Sequence, residues 1–160
     1  VGKTYMFECD AFENGYDGFN YHGNLVTNPY EFVFEYNCYA YNNGAIINGT
    51  GNATTAHDGM TVLRVGSVGH DCYGPVLADV NGCYSVNIDC IMYNSLRSSS
   101  STKAAFYFDE AAAVKQGKAY LINCGGGGAD YSISSDGNVD IYVKNFRGKK
   151  INSNTILNFL

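Results

Sequence analysis

The 160-residue chain has no tryptophan and only two prolines, Pro29 and Pro75, and charged side chains make up just 16% of it. Set beside 19 glycines and 14 tyrosines, that scarcity of proline fits many short strands joined by tight turns rather than a disordered chain. Ten basic residues face 15 acidic ones, for a net charge of −5, and they form no stripe of the kind a phosphate backbone requires. Nucleic acid is therefore not an expected partner. No apolar run approaches the roughly 20 residues that span a bilayer, and no signal-peptide pattern is visible, so membrane insertion is not expected either. The length suits one domain over residues 1–160. Because Val1 opens mid-pattern without methionine, that domain is expected to be a piece of a longer chain.

What is present is repetition. Cysteine recurs in one local frame at Phe7-Glu8-Cys9-Asp10, Tyr36-Asn37-Cys38-Tyr39, Ile88-Asp89-Cys90-Ile91 and Ile122-Asn123-Cys124, and Leu63-Arg64-Val65 is read as the same frame with Val65 in the cysteine position. A period of about 25 to 35 residues marks a solenoid, propeller or array, whose units bury their apolar side by stacking on one another. Alternation along each unit (Tyr5, Phe7, Cys9, Ala11; Phe34, Tyr36, Cys38, Ala40) predicts that these residues share the inward face. Cys9, Cys38, Val65, Cys90 and Cys124 would then form one inward column. A disulfide along such a stack conflicts with the dihedral that a bridge demands, so these cysteines are expected to be free thiols packing as small hydrophobes. Cys72 and Cys83 lie outside the column, and their state is open.

The rungs follow: Tyr5–Ala11, Phe32–Ala40, Met60–Ser67, Tyr84–Met92, Lys118–Cys124 and Val139–Asn145, with Asn14-Gly15 and Asn43-Gly44 as turns that accept positive φ cheaply. After rung two a further strand is expected at Ala45–Ile47. Gly18 and Gly74 share the 56-residue offset that separates Cys9 from Val65. Ser95–Thr102 reads as an exposed loop, Gly125–Gly128 as a sharp corner, and Asp109–Gln116 as the one helix candidate, or else a turn and loop between rungs. The expected fold is an all-β, right-handed parallel β-helix of about six rungs; a propeller blade would need four antiparallel strands per repeat, and these rungs are too short for that.

Asp17-Gly18-Phe19-Asn20-Tyr21-His22, Thr55-Ala56-His57-Asp58-Gly59, and Arg64-Val65 through Gly74-Pro75-Val76-Leu77-Ala78-Asp79-Val80-Asn81 resemble segments of the β-helix domains of phage tailspike and neck-appendage proteins, within the pectate-lyase-like superfamily. The resemblance spans roughly Tyr5 to Arg147. It implies a homotrimeric domain at an extracellular or virion surface that faces a cell-surface polysaccharide. No catalytic set of that family maps onto this chain residue by residue.

The chemistry-bearing residues cluster at the expected corners: Asp17, His22, His57, Asp58 and Asp79, with His70 and Asp71 beside them. Paired carboxylates serve general acid and base work on a glycosidic bond when suitably spaced, and a histidine beside an aspartate is an oriented proton carrier. The same dipeptides are also plain turn-formers. The first five are the candidate catalytic residues. No cofactor or metal is expected, because a zinc set of four spaced ligands and the Asp-x-Asp run of a calcium loop are both missing. The glycine run is not followed by Lys-Ser or Lys-Thr and so does not read as a phosphate cradle. Asn48-Gly49-Thr50 and Asn52-Ala53-Thr54 match the glycosylation pattern. Tyr16, Tyr21, Tyr30, Tyr39, Tyr73, Tyr93 and Tyr142 fall outside the inward frame, and as outward rings they suit either sugar stacking or packing at flanks and interfaces. Two functions remain: recognition of a cell-envelope glycan or teichoic acid by a trimeric, viral-type spike, or depolymerisation of that polysaccharide as a glycoside hydrolase or lyase.

Overall fold

The computed structural model describes residues 2–23, 31–44, 51–96, 103–109, 116–137, 139–152 and 156–158. Rung one consists of β1 (Lys3–Phe7), β2 (Asp10–Phe12) and β3 (Phe19–His22), and rung two of β4 (Phe32–Tyr36), β5 (Tyr39–Tyr41) and β6 (Thr54–His57). Rung three holds β7 (Thr61–Val65), β8 (Val68–Cys72) and β9 (Leu77–Asp79); rung four holds β10 (Tyr84–Ile88), β11 (Ile91–Ser95) and β12 (Ala104–Asp109). Rung five is β13 (Lys118–Ile122), β14 (Gly125–Gly127) and β15 (Tyr131–Asp136); β16 (Asp140–Lys144) and β17 (Ile151–Asn152) form the sixth, and β18 (Ile156–Asn158) pairs below it. All pairings are parallel and join equivalent strands of successive rungs into sheet A of seven strands, sheet B of five and sheet C of six. This is the parallel β-helix that the repeat predicts, and no helix occurs among the described residues. Of the helix candidate Asp109–Gln116, Asp109 ends β12 and Gln116 is not helical, while residues 110–115 lie outside the described residues, as do Ala45–Ile47, Asn48 and Tyr30.

Each rung bends where one residue enters the left-handed region. After sheet A the bend falls at Glu8, Asn37, Gly66, Asp89, Asn123 and Asn145, and after sheet B at Glu13, Asn42, Asp71, Asn94 and Gly128, with φ between 50° and 67°. Asn, Asp and Gly tolerate this conformation best, which is why they dominate both columns. The bend also breaks strand alternation: Glu35 points inward and Tyr36 outward, Asn37 turns the corner, and Cys38 again points inward. Two expectations therefore need correction. Tyr5, Phe7 and Tyr36 do not share the cysteine face; they lie outside, at 55%, 57% and 39% exposure. And since Phe7, Tyr36, Val65, Ile88, Ile122 and Lys144 are in register, the member of the cysteine column in rung three is Ser67, not Val65. The offset from rung one to rung three is 58 (65 − 7, and 77 − 19 in sheet C), so Gly18 is equivalent to Val76 rather than Gly74.

The column has a local reason. Cys9, Cys38, Cys90 and Cys124 each direct the thiol at the carbonyl two residues earlier, at 3.4, 3.7, 3.4 and 3.4 Å, so a small weak donor fills the space just inside the bend. All six cysteines are free, and burial raises the Cys72 and Cys83 thiols to about 11 and about 12. The glycine run is also corrected: Gly125–Gly127 is a strand, and only Gly128 turns.

Inside, the lumen changes character along its axis. Rungs three to six enclose Leu77, Met92, Phe106, Phe108, Leu121, Ile133 and Ile141, each burial being worth roughly 1.5–3 kcal/mol. A smaller apolar cluster holds Val33, Ala56, Met60, Val62 and Cys83, with Tyr21 packed against it. Tyr21 is thus an inward residue, not an outward ring. A polar network also occupies the interior. Arg64, 0% exposed, donates to both oxygens of Asp79 (3.0 and 2.9 Å), to Glu35 Oε1 (3.2 Å), to Thr54 Oγ1 (3.3 Å) and to Asn87 Oδ1 (3.4 Å).

Candidate functional site

The five residues singled out from the sequence do not form one cluster. Asp17 anchors the turn before β3: its Oδ1 accepts from the Asn52 backbone N–H (2.8 Å) and Asn52 Nδ2 (3.1 Å), and its Oδ2 from Asn20 Nδ2 (2.6 Å). Burial raises its pKa, and the hydrogen bonds from Asn52 and Thr55 oppose that rise. Asn52 is itself only 8% exposed, with its amide nitrogen also given to Thr55 Oγ1 (2.8 Å), so this glycosylation match is a buried structural asparagine.

His22, His57 and Asp58 do come together, on the outer side of sheet C where β3 and β6 end. The two imidazoles are in register and stack at 4.4 Å with planes 5° apart, and His22 Nδ1 is 3.8 Å from Asp58 Oδ2. Partial burial, and then the charge of His22, lower the pKa of His57. Asp58 sits at φ +58° and accepts from Asn81 Nδ2 at 2.9 Å, the behaviour of a turn residue. Asp79 is the clear correction. It is not at a corner but inside the lumen, 3% exposed and held by both Arg64 N–H arms, so the sheet itself separates it from Asp58. A carboxylate pair is not assembled from these residues.

A different surface gathers the aromatic groups. The outward positions of sheet B run in register as Asp10, Tyr39, Val68, Ile91, Gly125 and as Phe12, Tyr41, His70, Tyr93, Gly127. In the second column the rings stack: Phe12 on Tyr41 at 5.2 Å and 11°, Tyr41 on His70 at 5.3 Å and 10°, and His70 on Tyr93 at 4.8 Å and 13°. The ladder stops where Gly127 supplies no ring, so the far face of Tyr93 is uncovered. Beneath it lies a cavity of about 500 Å³, lined by Ile91, Tyr93, the Gly125–Gly127 backbone, Asp89, Asn123 and Arg147.

His70 is locked within the ladder. Its Nδ1 lies 2.6 Å from Asp71 Oδ2, which makes Nδ1 the protonated nitrogen and leaves Nε2 to accept from the Tyr39 hydroxyl. Asp71 in turn accepts from Asn94 Nδ2 at 3.1 Å. Desolvation, then Tyr93, Tyr41, Asp71 and Asp10, raise the Tyr39 pKa and keep it a neutral phenol. Asp71, His70 and Tyr39 thereby form one hydrogen-bonded chain. The sequence reading places His70 and Asp71 beside the candidate set and takes Tyr39 and Tyr93 as separate outward rings; it does not single out Tyr41 or Phe12 at all. The signal was available: Phe12, Tyr41, His70 and Tyr93 each stand three residues after the column Cys9, Cys38, Ser67, Cys90, and only the misplacement of rung three hid it. No family model, curated protein or solved structure matches this chain.

Proposed function

We propose that this chain is the carbohydrate-facing β-helix domain of a trimeric surface spike of the viral tailspike kind, displayed at an extracellular or virion surface and recognising a cell-envelope glycan or teichoic acid. The observation that supports it is the open face of Tyr93 above Gly127. A pyranose presents an apolar face of C–H groups that packs on an aromatic ring, while its hydroxyls need polar partners at the edge. The cavity supplies both, with Tyr93 and Ile91 as its wall and Asp89 and Asn123 at its rim. A sugar in it takes the place of the missing fifth ring.

Gly127 offers a clean test. A Cβ there meets nothing within 4 Å, and its φ is not among the positive ones, so Gly127→Tyr extends the ladder without strain and fills the slot. The variant should melt like the parent and lose binding to extracted envelope polysaccharide by tenfold or more, measured by calorimetry or glycan array. If Asp58→Ala removes binding and Gly127→Tyr does not, the corner with His22 and His57 is the site and the reading of sheet B falls. The second reading, a depolymerase, is favoured by the Tyr39–His70–Asp71 chain, since an oriented imidazole is a proton carrier; a release of reducing ends that Tyr39→Phe abolishes would establish it.

Assembly rests on another face. The outer side of sheet A carries Tyr5, Phe7, Phe34, Tyr36, Leu63, Val65, Val86, Ile88, Tyr120 and Tyr142, several of them well exposed, and a contiguous apolar surface of this kind marks an interface. Sedimentation at micromolar concentration should give the mass of a trimer, and a Phe7→Glu/Tyr36→Glu double variant that of a monomer; a parent mass of one chain would overturn the trimer.

A further inference from the structure

We infer that the slot below Tyr93 takes an acidic sugar unit, its anionic group held by Arg147. The inference rests on the carbohydrate reading above and names the class of ligand. Arg147 bridges in parallel to Gly125, with its backbone N–H donating to the Cys124 carbonyl (2.9 Å) and its carbonyl accepting from Gly126 N–H (2.8 Å). That register places its side chain in the outward column of Ile91 and Gly125. Because Gly125 has no side chain, a gap of two strand spacings, about 10 Å, separates Ile91 from Arg147. One pyranose fits this width, lying on bare glycine backbone with a ring at one side and a guanidinium at the other.

Three observations make the slot selective for negative charge. The guanidinium of Arg147 is exposed and has no ion-pair partner among the described residues, unlike Arg64, the other described arginine, which is saturated in the interior. Lys144, Arg147, Lys149 and Lys150 supply four of the ten basic residues of a chain whose net charge is −5, and no acidic residue lies among them. Lys149 and Lys150 line an adjoining cavity of about 470 Å³ that shares Gly126 and Gly127 with the first, so the positive field continues along the same floor. The one carboxylate at the rim, Asp89, belongs to rung four, two rungs from Arg147, where it accepts sugar hydroxyls rather than neutralising the cation. Arginine grips carboxylate or phosphate oxygens with two parallel N–H donors, and either a uronate or the phosphate of a teichoic acid provides such oxygens.

The test is a titration of the 15N-labelled chain with glucuronate, inorganic phosphate and glucose, read on the Gly125–Gly127 amides and the Arg147 Nε–H, with Arg147→Gln as the variant. Glucuronate should move these signals at about tenfold lower concentration than glucose does, lose that advantage in Arg147→Gln, and weaken as salt is raised. Stronger shifts with phosphate than with glucuronate assign the anion to phosphate; stronger shifts with glucuronate assign it to carboxylate. Equal response to glucose and glucuronate overturns the acidic class while leaving the carbohydrate reading intact. If neither sugar nor phosphate moves these signals, while envelope polysaccharide shifts residues elsewhere, both the slot and its charge preference are wrong.

Discussion

Replacing Arg64 with methionine is expected to cost about 3–5 kcal/mol of folding free energy, the loss typical of breaking a buried ion pair by removing one partner. The guanidinium is the only cation facing two buried carboxylates, Glu35 and Asp79, among the described residues, and it also serves Thr54 and Asn87. Without it both carboxylates remain in the lumen, and Glu35 Oε2 already has no hydrogen-bond partner. Tyr21 feels the same charge: burial first, then Glu35, raise its pKa. A loss of this size is a large fraction of the stability of an ordinary domain. Urea unfolding of Arg64→Met measures it, and the triple variant Glu35→Gln/Arg64→Met/Asp79→Asn should recover a large part of the loss by removing the stranded charge. A penalty below about 1 kcal/mol, within the range of exposed pairs, would show that the network is open to water. The same experiment bears on Asp79, whose replacement should disturb stability and not glycan contact.

Phe106→Ala should be comparably damaging, by about 3–5 kcal/mol, because the ring is fully buried where sheets B and C face each other and its removal leaves a cavity. Phe106 packs edge-on to Phe146 at 5.8 Å, and its Cδ2 lies 3.3 Å from where a Cβ on Gly126 would sit. The ring therefore supports the strand that floors the slot beneath Tyr93. In a chain of this length each kcal/mol lowers the melting temperature by roughly 2–4 °C, so a fall on the order of 10 °C is expected by differential scanning calorimetry. Since each rung contacts only its neighbours, hydrogen exchange should accelerate most in rungs four to six and least in rungs one and two. Uniform acceleration along the chain would show that the solenoid unfolds as a single cooperative unit.

The repeat made the architecture legible. Four cysteines in one local frame and short apolar runs imply rungs that stack, since no single rung buries its own apolar side, although the bends after sheet B fall at Glu13 and Asn42, one residue before the Asn-Gly pairs. Position within the rung was less legible. Alternation is a rule for continuous strands, and one left-handed residue per bend cancels it, so Phe34 and Cys38 emerge on opposite faces although both belong to one alternating set. With Ser67 in the cysteine position of rung three, the cysteine frame does not show there, and the alternation places Val65 two residues too early. The same two-residue difference sets Gly18 against Gly74 instead of Val76 and leaves Phe12, Tyr41, His70 and Tyr93 out of one visible column.

The all-β class, the stacking of about six units and the free thiols of the column follow from the residues alone, because they depend on local spacing and residue size. Which residues share a wall, and which wall faces water, depends on how the rungs stack. Asp79 and Asp58 stand 21 positions apart and look alike in sequence, yet one is held in the lumen by Arg64 and the other turns at the surface. Tyr93 and Arg147 are 54 positions apart, with Gly127 between them, and the three become one slot solely because parallel rungs set them at successive strand spacings on the outer face of sheet B. Sequence distance carries no record of that register; it arises from backbone hydrogen bonds between rungs and the packing of the lumen behind them.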